Sequence, residues 1–168
     1  MKNTHIAIIL TGVCLCGGLL TESASAQIYI NSLPGGYYTQ DFDSLSGSGT
    51  ANPWTDNSTL TGWYAATNTS NGVLQAYRAS PGTDTAGAVY SFGATDSSDR
   101  ALGSIGSNTS RDLAYGVRFA NDTGSAITSI TISYTGEQWR NSVDAAVQPL
   151  TFSHLVSATP ITSPDPAN

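Results

Sequence analysis

The sequence predicts an all-β fold, an antiparallel β-sandwich of jelly-roll type. Three observations predict it. Apolar residues recur at every second position in short segments, Gly, Ser, Thr and Asn interrupt the chain every few residues, and no window sustains the three-four spacing of an amphipathic helix. Roughly eight or nine short strands separated by such turns suit two packed sheets better than any helical layer.

The first 26 residues have the order of an export leader: a basic start at Lys2, an apolar run from Ile6 to Leu20, and the small-residue ending Ala24-Ser25-Ala26. Cleavage is expected before Gln27, giving a secreted or cell-surface product. The apolar run, broken by Gly, Thr and Cys, is shorter than the roughly 20 residues a membrane span needs. Cys14 and Cys16 both lie inside it, and neither follows the small residue that lipid attachment requires. The exported product is therefore expected to carry no thiol, disulfide or membrane span, and to rest on its core and hydrogen-bond ladders. Residues 27–157 are expected to form one sandwich domain. Residues 158–168, with three prolines and no apolar period, read as a loosely ordered tail.

Within the domain, strands are expected at Ile28–Ile30, Tyr37–Phe42, Leu60–Tyr64, Val73–Tyr77, Ala88–Phe92 and Ala101–Ile105, with loops at Ser44–Asn57 and Ala79–Ala86. The clearest alternation sets Leu113, Tyr115, Val117 and Phe119 against Ala114, Gly116, Arg118 and Ala120, the pattern of a half-buried strand. Ile130, Ile132 and Tyr134 alternate with Ser129, Thr131 and Ser133. Because Asn121-Asp122-Thr123-Gly124 between these segments suits a tight turn, the two are expected to pair as an antiparallel hairpin. A last strand places Leu150, Phe152, His154 and Val156 on one face, entered through Pro149.

Composition narrows the chemistry. Lys2 and Glu22 leave together, so the remainder keeps the net charge of −6 and carries no lysine. Nucleic acid is excluded as a partner on this count, since its phosphates are neutralised by Lys and Arg. His154 alone survives cleavage among the histidines and falls in phase with strand neighbours, which reads as packing rather than catalysis; no Gly-x-Ser-x-Gly elbow accompanies it. Glu137 is the one glutamate left, so a carboxylate pair for glycoside hydrolysis has no assignable partner. One His and no Cys exclude a transition-metal site. No cofactor is therefore expected, with calcium left open at Asp41 and Asp43 and at Asp96 and Asp99, where turn oxygens cluster. Trp54, after Pro53 in a loop, and Trp63 are the candidate sugar-stacking rings, with core packing as the favoured reading. Asn57, Asn68, Asn108 and Asn121 begin Asn-x-Ser/Thr triplets, a chance-level feature in so polar a chain. Gly136-Glu137-Gln138-Trp139-Arg140 is read as a structural clasp at the sandwich edge, with an ion pair and a cation–π contact.

Five blocks carry a resemblance: Thr39-Gln40-Asp41-Phe42-Asp43-Ser44-Leu45, Gly62-Trp63-Tyr64, Tyr90-Ser91-Phe92-Gly93, Asp99-Arg100-Ala101-Leu102-Gly103, and Ile132 to Arg140. Together they resemble an N-terminal module of exported bacterial proteins that often end in a PEP-CTERM sorting signal. The resemblance spans about residues 37–157 and implies a bacterial source and a jelly-roll-like sandwich, with no catalytic residues. It also implies further strands and a sorting tail beyond residue 157, so the sandwich is expected to be incomplete at its C-terminal end. The expected function is a non-catalytic structural or adhesive module at the cell envelope or matrix, with extracellular polysaccharide or an envelope protein as partner. The alternatives are a carbohydrate-binding module and the leading piece of a larger secreted hydrolase.

Overall fold

The computed structural model describes residues 4–12, 27–67, 72–108, 110, 112–141 and 150–164. The strands are β1 Thr4–Gly12, β2 Ile28–Tyr29, β3 Asn52–Pro53, β4 Trp63–Thr67, β5 Ala76–Ser80, β6 Ala88–Phe92, β7 Ala101–Ile105, β8 Leu113–Asn121 and β9 Leu150–Ser157, with two short 3-10 turns at Ile30–Ser32 and Pro34–Gly36. The fold is all-β and sandwich-like. One sheet runs β2-β8-β1-β9 with β4 also on β8; the other runs β3-β5-β6-β7. Both sheets are mixed: β4–β8, β3–β5 and β6–β7 are antiparallel, whereas β1 runs parallel to both β8 and β9, β2 to β8, and β5 to β6. Among the described residues no helix is long and apolar enough to cross a membrane.

The core lies between the sheets. From the first come Trp63 and Ala65 of β4 and Leu113, Tyr115 and Val117 of β8; from the second come Tyr77 and Val89, with Leu102 packed against them. Each such aliphatic or aromatic side chain contributes about 1.5–3 kcal/mol by leaving water. The Tyr115 hydroxyl spans the core to hydrogen-bond the Ser104 side chain, and burial pushes its pKa up to about 12. Gly62 at φ 80° brings the chain entering β4 close to β2 and β8 within the first sheet: a Cβ there would meet Ile28 Cδ1 at 2.8 Å, while its carbonyl accepts the Arg118 amide at 2.8 Å.

The opposite face of β8 is covered too. Ala114, Gly116 and Ala120 are buried, and Arg118 is 0 % exposed. The Arg118 guanidinium lies 5.0 Å from the Tyr64 ring centroid, and its Nη1 donates to the Ile161 carbonyl at 2.7 Å. The strand read as half-buried is thus buried on both sides. The tail read as loosely ordered is anchored at Ile161 and Pro164, because that buried arginine needs a carbonyl acceptor.

The expected hairpin does not form. The Asn121 turn is present, closed by Asn121 Nδ2 donating to the Ser125 carbonyl at 2.8 Å, but residues 126–141 continue as irregular chain. Ile130 and Ile132, on the strand expected to pair there, are each 40 % exposed. The reason is occupancy: β1, from the segment read as the leader, covers the whole free edge of β8 from Leu113 to Asn121. β9 forms where predicted, yet Leu150, Phe152 and Val156 face water rather than the core. As the outermost strand beyond β1, it contributes no residue to the central cluster.

Smaller departures have local causes. Tyr37–Phe42 is not a strand: Phe42 takes φ 67°, its amide capped by Gln40 Oε1 at 2.8 Å, and the Asp43 amide is capped by Asp41 Oδ1 at 3.0 Å. These side-chain bonds replace a ladder with a turn. The expected Ser44–Asn57 loop contains β3, and the strand expected at Val73–Tyr77 runs as β5 to Ser80. Cys14, Cys16, the expected cleavage point, Asn68 and Pro149 lie outside the described residues.

Candidate functional site

Residues from four of the five distinctive blocks meet around β6 and the turn that leads to β7. In β6, Val89 enters the core, while Tyr90 and Phe92 lie on the outer face with rings stacked at 4.9 Å. Two residues apart on a strand, they point the same way by the pleat alone. Trp139 completes the row, its ring 6.3 Å from Phe92 and 6° from parallel. Its Nε1 donates to Glu137 Oε2 at 2.7 Å. Arg140 Nη1 donates to the carbonyls of Asp84 at 3.1 Å and Thr83 at 3.4 Å. The Gly136–Arg140 clasp therefore closes onto the second sheet. The ion pair and cation–π contact expected within it are replaced, because two backbone carbonyls and a flat phenyl ring lie where the arginine and the indole land.

Tyr90 donates its hydroxyl proton to the Ala86 carbonyl at 2.7 Å. Burial raises its pKa, an effect that the Arg78 charge beside it opposes.

A second knot lies on the same strand. Arg100 is buried, donating from Nε to Ser91 Oγ at 2.9 Å and from Nη2 to the Ser91 carbonyl at 2.6 Å. Its own amide donates to Asp43 Oδ1 at 2.9 Å, which ties the Asp41–Asp43 turn to the second sheet. Gly93 is the close approach that makes room, since a Cβ there would overlap the guanidinium and lie 2.5 Å from the Asp99 carbonyl oxygen. The remaining block, Gly62-Trp63-Tyr64, joins one step further out through Phe42, whose ring stands edge-on to Trp63 at 4.9 Å.

The structure corrects the ligand-binding expectation for the two tryptophans. Trp54 is 4 % exposed, edge-on to Tyr77, with Nε1 donating to Asp56 Oδ1 at 2.7 Å. Trp63 is 7 % exposed, with Nε1 donating to the Tyr38 hydroxyl at 2.8 Å. Asp56 explains the burial of Trp54: the same Oδ1 also takes the Ala65 amide at 2.9 Å, so the loop folds inward onto β4. Neither ring presents a face on which a sugar could stack.

Two of the four aspartates are engaged locally: Asp41 caps the Asp43 amide and Asp43 takes the Arg100 amide, while Asp96 sits at a turn with φ 61° and the Asp99 backbone amide donates to Ser97 Oγ at 3.1 Å. Among the described residues no group of three or more His, Cys, Asp or Glu converges to hold a metal ion. His154 lies exposed on β9.

Sequence reasoning missed Arg100 and Arg118 as organising residues. A signal for Arg118 was present: Ala114, Gly116 and Ala120 beside it are too small and apolar for a solvated face, and mark a second packed layer. Comparison with known protein families, curated proteins and solved structures finds no match.

Proposed function

We propose that this chain is an exported, non-catalytic β-sandwich module with a structural or adhesive role at a bacterial cell envelope or matrix. The observation that carries the reading is where its most distinctive residues go. Asp43 reaches Arg100, Arg100 reaches Ser91, Phe42 meets Trp63, and Trp139 lies on Phe92. Groups that could do chemistry are spent on holding loops to sheets, whereas catalytic groups are held so as to face a substrate. Glu137, the one glutamate outside the leader, is bonded to an indole N–H. The net charge of −6 favours solubility and disfavours anionic surfaces, so a neutral polysaccharide or an envelope protein is the partner proposed.

The test is export of the whole chain by a bacterial host, followed by two measurements on the released product. Retention on envelope and matrix fractions, without turnover of glycoside, ester or peptide substrates, is the expected result. Saturable turnover abolished by Glu137→Gln or His154→Ala would overturn it.

A further inference from the structure

β1 occupies a slot that another part of the chain is patterned to fill. It lies between β8 and β9 and is parallel to both, over Leu113–Asn121 on one side and Leu150–Ser157 on the other. β8 and β9 therefore point the same way, one strand apart, with a gap of roughly 10 Å between their axes once β1 is absent. The chain between them leaves β8 through the Asn121–Ser125 turn, where Asn121 and Thr123 side chains hold the Ser125 carbonyl beside the strand end. The segment after this turn alternates as a strand does, with Ile130, Ile132 and Tyr134 exposed to water in their irregular course.

Direction decides the matter. A strand entering from that turn would run opposite to β8, and hence opposite to β9 as well. It would fill the slot as the middle of an up-down-up meander without any reversal of β9. Antiparallel neighbours can be joined by short turns, whereas the present parallel pairs cannot. An empty slot would instead leave two facing edges of unpaired amides and carbonyls, one of them on the buried strand β8.

We infer that β1 is a placeholder: on removal of the leader, residues 129–135 of the same chain move into the slot and pair antiparallel with β8 and β9. The exchange rests on the export reading above, and its trigger is hydrolysis of the Ala26–Gln27 peptide bond by water, catalysed by the exporting cell's leader peptidase. Before cleavage the chain is held in one strand arrangement; after it, the freed edge selects the other. Gly136–Arg140 comes directly after the moving segment, and its docking on Phe92 marks where that segment ends.

The experiment compares the unprocessed chain from the host cytoplasm with the exported product, by intact mass and hydrogen exchange. The expected result is a product beginning at Gln27 in which amides 129–135 exchange at least 100-fold more slowly than in the unprocessed chain. Fast exchange of 129–135 in a cleaved, folded monomer overturns the exchange alone. Protection that appears only in a concentration-dependent oligomer also overturns it, since a second copy then supplies the strand. A product still carrying Thr4 overturns the export reading, and the exchange with it. Ile132→Pro gives an independent arm: it should accelerate exchange across β8 at least tenfold in the cleaved chain and leave the unprocessed chain unchanged. An equal effect in both forms counts against the exchange.

Discussion

Replacing Arg100 with Met tests whether its guanidinium stabilises the second sheet by tying the turn before β7 to Ser91 of β6. The substitution keeps the apolar stem and removes only the guanidinium, with its bonds to Ser91 Oγ at 2.9 Å and to the Ser91 carbonyl at 2.6 Å. Charge-assisted bonds of this kind are worth about 1.5–3 kcal/mol each, and removing a buried cation returns part of that through desolvation. A net loss of about 2–4 kcal/mol results, a large share of the roughly 5–15 kcal/mol that stabilises a domain. The backbone bond from Arg100 to Asp43 is untouched by the change, so the loss reports on the side chain alone. Urea unfolding followed by tryptophan fluorescence reads it directly. With a slope of about 1–3 kcal/mol per molar urea, the midpoint should fall by about 1–2 M. Arg100→Lys should fall between wild type and Met, because an ammonium cannot reproduce the fork that reaches both Ser91 oxygens. A midpoint shift under about 0.3 M for Arg100→Met would refute the reasoning, since the guanidinium would then be replaceable by a thioether.

Three further outcomes are expected. Trp54→Ala should cost about 3–5 kcal/mol in the same unfolding assay, as truncation of a buried indole does, with no change in retention on polysaccharide. Gly62→Ala should lower the thermal midpoint, at a cost of about 1–3 kcal/mol, because φ 80° strains an alanine and its Cβ would press on Ile28. Alkaline stability depends on Tyr115: the unfolded hydroxyl ionises near its ordinary value of 10.0, while the folded one keeps its proton to about 12. Its contribution is therefore intact below pH 10 and lost as pH rises to about 12, at about 1.4 kcal/mol per pH unit, or about 3 kcal/mol in all. Tyr115→Phe should flatten that decline in pH-dependent urea midpoints.

What the sequence determined by itself is the class of the fold and its strongest local features. The alternation of Leu113, Tyr115, Val117 and Phe119 forced a strand, since a two-residue beat cannot present one face in any helix. Ala88–Phe92 and Ala101–Ile105 are strands with the predicted bounds, because their periodicity and flanking turns agree. Asn121 to Gly124 turned as its side chains dictate. The tertiary structure alone decided which edge each strand meets. Ile130–Tyr134 has the same local pattern as a paired strand, yet it lies unpaired where β1 already occupies the β8 edge. It also decided that Trp54 turns inward, through an aspartate two residues away that bonds its indole, and that Arg118 is enclosed by Tyr64 and the tail. The physical reason is common to these cases. Backbone pattern is set by neighbours in the chain, whereas occupancy of an edge and the enclosure of a charge depend on segments many residues away competing for one place.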